Sequence, residues 1–192
     1  MIMTQMQQAP DIKSYSLGEF FFSSYQVPKY QRNYTWGEIQ VQELVQDLLE
    51  FHRSDDAFYL LGDVIAASSS GDYQFELIDG QQRATTLIIL FSVLYRKLND
   101  WGYSQDDTNQ LFNAMKQNAQ RLKVKMSGNA SSVVLDYLAT GDISTLTKVT
   151  PSQVNVVAAY DVISKVINEE FTQLKSDELL GFTQRILKAV YV

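Results

Sequence analysis

The chain has 192 residues, 45% apolar and 20% charged, enough to bury one ordinary core with a helical appendage. It holds no cysteine and a single histidine, His52, which excludes disulfide frameworks, thiolate or multi-histidine metal centres, cysteine nucleophiles and every triad that does not use His52. The formal net charge of −6 repels a phosphate backbone unless the cations cluster; between residues 79 and 126 they do, as Arg83, Arg96, Lys97, Lys116, Arg121, Lys123 and Lys125 outnumber Asp79, Asp100, Asp106 and Asp107.

Met1 to Lys13 is rich in Gln and Met, with neither a basic start nor an apolar run of signal-peptide length, and no later run is long enough to cross a bilayer. The expectation is a cytoplasmic protein without a membrane partner. Ser16 and Glu19 have capping-box spacing and open a short helical turn through Phe22, and Pro28 forces Tyr25-Gln26-Val27 to run extended. After a loop from Lys29 to Tyr34, Thr35 and Glu38 have the same box spacing. Val41, Leu44, Val45, Leu48 and Leu49 then predict a helix to about Phe51, with His52 a helix-end cation. The apolar run Phe58 to Ala66 and the alternation of Tyr73, Phe75 and Leu77 predict a hairpin around the polar loop Ser68 to Asp72. Asp79 reads as the N-cap, and Gln82 as its box partner, of a helix carrying Leu87, Leu90, Phe91, Leu94 and Leu98 on one face.

Beyond Trp101 the spacing predicts helices at about 106–118, 130–139, 152–174 and 176–188, with one strand at Arg121 to Met126. The apolar end from Ile186 to Val192 predicts a strand, in a chain truncated from a longer protein. The fold class is α/β (α+β): a small mixed sheet flanked by helices over residues 1–100, and a mostly helical extension over 101–192.

Chemistry concentrates in Asp79-Gly80-Gln81-Gln82-Arg83. Gln81 and Arg83 lie in a helix's first turn, where free N–H groups and the positive helix end favour an anion. Arg83 repels that dipole unless an anion or carboxylate answers it; phosphate is one candidate, and Glu76 or Asp63 would be the structural alternative. Gly80 allows close backbone approach, and Thr85 and Thr86 add hydroxyls one turn on. The run Val27 to Trp36 holds Lys29, Tyr30, Gln31, Arg32, Tyr34 and Trp36, residues able to clamp a nucleotide by charge and stacking or simply to fill the rim of the core. Arg121, Lys123 and Lys125 share one strand face, as nucleic-acid contacts or as guards against edge-to-edge pairing.

Taken in order, Val27 to Trp36, then Tyr59-Leu60-Leu61-Gly62, then Leu77 to Leu87 around Asp79-Gly80-Gln81-Gln82-Arg83 resemble the successive motifs of the GmrSD-type restriction family, over about Ser16 to Leu98. The resemblance implies a ParB/sulfiredoxin-like core that binds and hydrolyses a nucleoside triphosphate with Mg2+. Asp79, Gln81, Gln82 and Arg83 would be catalytic, with Asp79 capping the helix or holding metal-bound water. Tyr30, Gln31, Arg32, Trp36, Gly80, Thr85 and Thr86 would bind nucleotide. It also implies a defence role against phage carrying modified DNA. The DNA would be met through the full-length protein and cut by a C-terminal or partner histidine-asparagine-histidine nuclease domain, and a homo-oligomer is compatible with this. Ala84 stands where the family usually has a larger aliphatic residue, and Asp63 where a small one is common. The alternative is a binding module that senses modified DNA or a partner protein without turnover.

Overall fold

The structure, a computed structural model, describes residues 11–118, 120–144, 150–173 and 176–192. In chain order the elements are α1 (Leu17–Phe20), β1 (Tyr25–Gln26), α2 (Glu38–Arg53), β2 (Tyr59–Leu60), β3 (Ile65–Ser68), β4 (Phe75–Asp79), α3 (Gln81–Asp100), α4 (Gln105–Met115), β5 (Lys116–Asn118), β6 (Arg121–Leu122), β7 (Val124–Lys125), α5 (Ala130–Thr140), α6 (Pro151–Glu170), α7 (Ser176–Ala189) and β8 (Val190–Tyr191). The fold is α+β, with small mixed sheets and a mostly helical second half.

The axis of the molecule is α3. Every residue from Ala84 to Leu94 is buried, and α4, α5, α6, α7 and β7 all pack against it. The one-faced stripe expected from the sequence is therefore a helix enclosed on all sides from Ala84 to Leu94, because its small and hydroxylated positions there are buried along with its leucines. By contrast α2 keeps one apolar face, Val41, Leu44, Val45, Leu48 and Leu49, turned to the core. The Ser16–Glu19 capping box forms, with the Ser16 N–H donating to Glu19 Oε2 at 2.9 Å. The box expected between Thr35 and Glu38 does not: α2 starts at Glu38 after Gly37, whose N–H is answered by Gln40 Oε1 at 3.0 Å.

The main sheet has the order β3-β4-β1-β7, antiparallel between β3 and β4 and parallel on both sides of β1. The hairpin is shorter than the apolar run suggests. Residues 61–64 leave the strand after Leu60, so that β2 pairs in parallel with β8 and only β3 pairs with β4. The helix expected to reach residue 118 stops at Met115, where the chain turns extended into β5. The strand expected over 121–126 divides into β6, facing β5, and β7, facing β1. Helix α6 ends at Glu170, short of the expected 174, a residue outside those described. Among the described residues no helix is long and apolar enough to cross a membrane.

His52, in the last turn of α2, is not the surface cation its position suggests. Its ring lies edge-on to Phe182 at 5.4 Å, and its Nδ1 is buried without a hydrogen-bond partner. Burial, followed by Arg185, holds the imidazole below its ordinary range, with Arg53 adding to them and Glu178 and Glu170 opposing. A depressed histidine value means that the unfolded chain takes up the proton first. This part of the stability is therefore complete above about 6.5 and lost as pH falls through the folded-state value. Urea unfolding at about pH 8 and about pH 5.5 should show the wild type losing more stability across that interval than His52→Gln; equal losses would show that His52 titrates as a solvated group.

Candidate functional site

The site is built at the junction of β4 and α3. Strand β4 ends on the exposed Asp79, whose Oδ1 accepts the Gly80 N–H at 2.7 Å. Gly80 then turns with φ +83° and ψ 4°. A Cβ at Gly80 would sit 2.8 Å from Val64 Cγ2, so only glycine makes this turn against Val64 without strain. Gly80, rather than Asp79, is thus the N-cap residue, and Asp79 secures the turn instead of the helix. The first helical bond runs from the Ala84 N–H to the Gly80 carbonyl at 2.9 Å, which leaves the N–H groups of Gln81, Gln82 and Arg83 without an acceptor inside the helix.

Gln82 does not reach back to Asp79. It is buried and serves the loop before α2: its Oε1 accepts the N–H groups of Thr35 at 2.8 Å and Trp36 at 3.3 Å, and its Nε2 donates to the Asn33 carbonyl at 3.1 Å. Gln31 completes the connection, donating from Nε2 to the Ile78 carbonyl at 2.9 Å and accepting from Gln81 Nε2 at 3.3 Å. Tyr34, 2% exposed, shares a 2.8 Å hydrogen bond with Thr86 Oγ1, and burial pushes its phenol up to about 12 despite that bond. The loop and the first turn of α3 are therefore one bonded unit. Tyr34 is a core anchor, the rim-filling one of the two roles open to the loop's aromatics. Asn155 of α6 donates to the Tyr34 carbonyl at 2.7 Å; no local sequence signal points to this asparagine.

Arg83 is answered neither by Glu76 nor by the Asp63 carboxylate. Its Nη1 donates to the Leu61 carbonyl at 2.9 Å and its Nη2 to the Asp63 carbonyl, while Glu76 accepts from Gln26 at 2.8 Å. Backbone carbonyls carry enough partial negative charge to hold the guanidinium off the helix axis. The approach depends on Gly62, φ +105°, because a Cβ there would collide with Arg83 Nη1. A glycine inside an apolar strand-like run is the sequence signal for such a close approach.

The remaining expected residues divide by burial. Tyr30 and Arg32 are exposed and Trp36 is half-buried, whereas Thr85 and Thr86 are buried inside α3, with the Thr86 hydroxyl also donating to the Gln82 carbonyl at 2.9 Å. Arg121 pairs with Asp72 at 3.0 Å, Lys123 Nζ donates to the Phe22 carbonyl at 2.7 Å, and Lys125 is exposed on the edge strand. These three do not converge on the α3 terminus. Among the described residues no group of three or more His, Asp and Glu side chains gathers as a metal cluster. The junction presents unsatisfied N–H groups, one exposed carboxylate and a locked cationic loop, an arrangement suited to a polyanion.

A family model described as GmrSD restriction endonuclease, N-terminal domain, matches residues 12–191. A search of curated proteins finds no match to the chain.

The lock makes a local prediction. Gln82→Ala should strip exchange protection from the Thr35 and Trp36 amides and cost about 1–3 kcal/mol in chemical unfolding. Unchanged protection at both amides would show that the loop is held by its aromatics alone.

Proposed function

The chain belongs to the family of the GmrSD restriction endonuclease N-terminal domain, and so to a restriction system; from that premise we propose that it binds a nucleoside triphosphate at the α3 terminus and hydrolyses it to control a nuclease carried elsewhere. One observation carries the reading: Arg32 lies between two residues tied to the start of α3, Gln31 through its side chain and Asn33 through its carbonyl. The exposed Arg32 is thereby carried on a loop tied to the turn whose first N–H groups have no helical acceptor.

In this reading the phosphate oxygens accept from the first-turn N–H groups of α3, and Arg32 offsets the charge that the helix end alone leaves uncompensated. Tyr30, exposed on the same loop, offers a face for the base, and Trp36 stiffens the loop behind it. Asp79 is the carboxylate that would hold a magnesium ion: a hard cation of this kind takes one or two carboxylates, and among the described residues this exposed side chain is engaged only by the Gly80 N–H, on Oδ1. Bound there, the ion would supply charge neutralisation to the phosphates. The Gln81 amide orients a phosphate oxygen or the attacking water. Arg83 acts through the 61–63 turn, which it fixes against the helix, and not on the phosphates. We read residues 1–100 as a ParB/sulfiredoxin-like core and modified DNA as the signal met by the full-length protein. The engagement of Arg121 and Lys123 within the fold argues against their being the main DNA contacts.

Calorimetric titration of the four ribonucleoside triphosphates with Mg2+ tests the proposal, followed by phosphate release with and without modified DNA. Binding of at least one triphosphate is expected, and Arg32→Ala should weaken it about tenfold or more at unchanged melting temperature, as loss of a charge-assisted contact requires. Failure of all four to bind would overturn the triphosphate reading, and turnover-free binding would leave a sensing module.

A further inference from the structure

A cleft of about 1160 Å³ opens away from the junction, between α1, the loop joining β3 to β4, the end of α4 and the start of β5. None of residues 30–36 or 81–83 lines it. The most conspicuous side chain in it is Phe22. Phe20 and Phe21 are buried in the core, yet Phe22 is 84% exposed, on a backbone pinned by Lys123 Nζ, which donates to the Phe22 carbonyl at 2.7 Å and lies 5.8 Å from the ring centroid. An aromatic face open to solvent is a platform for a flat ring.

The other walls carry complementary chemistry. Gln110 on α4 and Gln117 on β5 line the cleft, both exposed and without a hydrogen bond to another described side chain, so that their amides can each offer a donor and an acceptor to a base edge. Lys116 and the exposed Lys188 add charge. Of the acids lining the cleft, Asp72 is neutralised by Arg121 at 3.0 Å, and Glu19 has one carboxylate oxygen engaged by Ser16. In a chain of net charge −6 this concentrates cations around an aromatic face and free amides.

We propose that this cleft is a second nucleotide-binding site, independent of the α3 terminus, with the base stacked on Phe22, its edge on Gln110 or Gln117, and phosphate held by Lys116 and Lys188. The shared chemistry is a base attached to phosphate, and two sources supply it: a free nucleotide, or one unit of a single strand.

Thymidine 5′-monophosphate and a short labelled oligothymidylate distinguish the sources when titrated against the full chain by calorimetry and fluorescence anisotropy. Binding of either supports the site, the monophosphate alone identifying a free nucleotide and the strand alone a polymer unit. Phe22→Ala and the pair Lys116→Glu with Lys188→Glu should each weaken binding about tenfold, Phe22→Trp should retain it, and Arg32→Ala should leave it unchanged, which separates this site from the proposed triphosphate site. Melting temperatures should not move for the exposed Phe22 and Lys188 positions. Absence of binding by both probes overturns the proposal, as does binding that survives Phe22→Ala, or polyglutamate binding as tightly as the nucleotide probes.

Discussion

The Gln82 side chain holds together two segments that are far apart in the chain. From inside the core it satisfies two N–H groups and one carbonyl of a loop that has no regular structure of its own. A loop at the rim of a core carries backbone groups that must be paired or left in water. Here one buried amide, with one donor and one acceptor end, pairs them and so removes most of the loop's freedom. Gln31 and Tyr34 repeat the device at the flanking positions. The loop's exposed residues therefore inherit the position of α3, and α3 is the most thoroughly enclosed helix of the molecule.

Arg83 and Arg185 show a second recurring device. Each spends its guanidinium on a pair of backbone carbonyls in a turn, Arg83 on Leu61 and Asp63, and Arg185 on Ser54 and Asp56. Arg185 also lies 4.5 Å from the centre of the Phe51 ring. Arg83 uses both terminal nitrogens of its planar fork, one to each carbonyl, whereas Arg185 reaches both of its carbonyls from Nη2 alone. The turns so held bracket β2, which would otherwise be a short strand with only β8 beside it. Through Arg185 the helical second half of the chain holds a turn of the first, and β7 and β8 extend the same dependence into the sheets.

Much of this was legible in the residues. The stripe of α2, the Ser16–Glu19 box, the paired β3 and β4, and the meeting of the Gln31 region with the α3 turn all follow from local spacing or from the motif resemblance. The break after Leu60 was not, because the pairing of β2 with Val190 and Tyr191 is made across the length of the chain and no local pattern reports it. The cap at Gly80 escaped for a different reason. Asp79 is an excellent N-cap by type, and only the left-handed turn that avoids Val64 moves the helix start one residue on. Tyr34 looked like one aromatic among several, and its hydroxyl bond to Thr86 needs a partner on another element to be seen. For the same reason the buried roles of Thr85 and Thr86 were hidden behind their polar type.

We propose that the locked loop and the α3 turn form one anion-binding unit, with Arg32 for the ligand and Arg83 for the fold. A crystal structure of the chain with a non-hydrolysable triphosphate analogue and Mg2+ tests it most directly. Phosphate oxygens are expected on the Gln81 and Gln82 N–H groups, with the Arg32 guanidinium on the phosphates and Arg83 still bonded to the Leu61 and Asp63 carbonyls. Phosphates bound elsewhere, or Arg83 swung off its carbonyls to meet them, would contradict it.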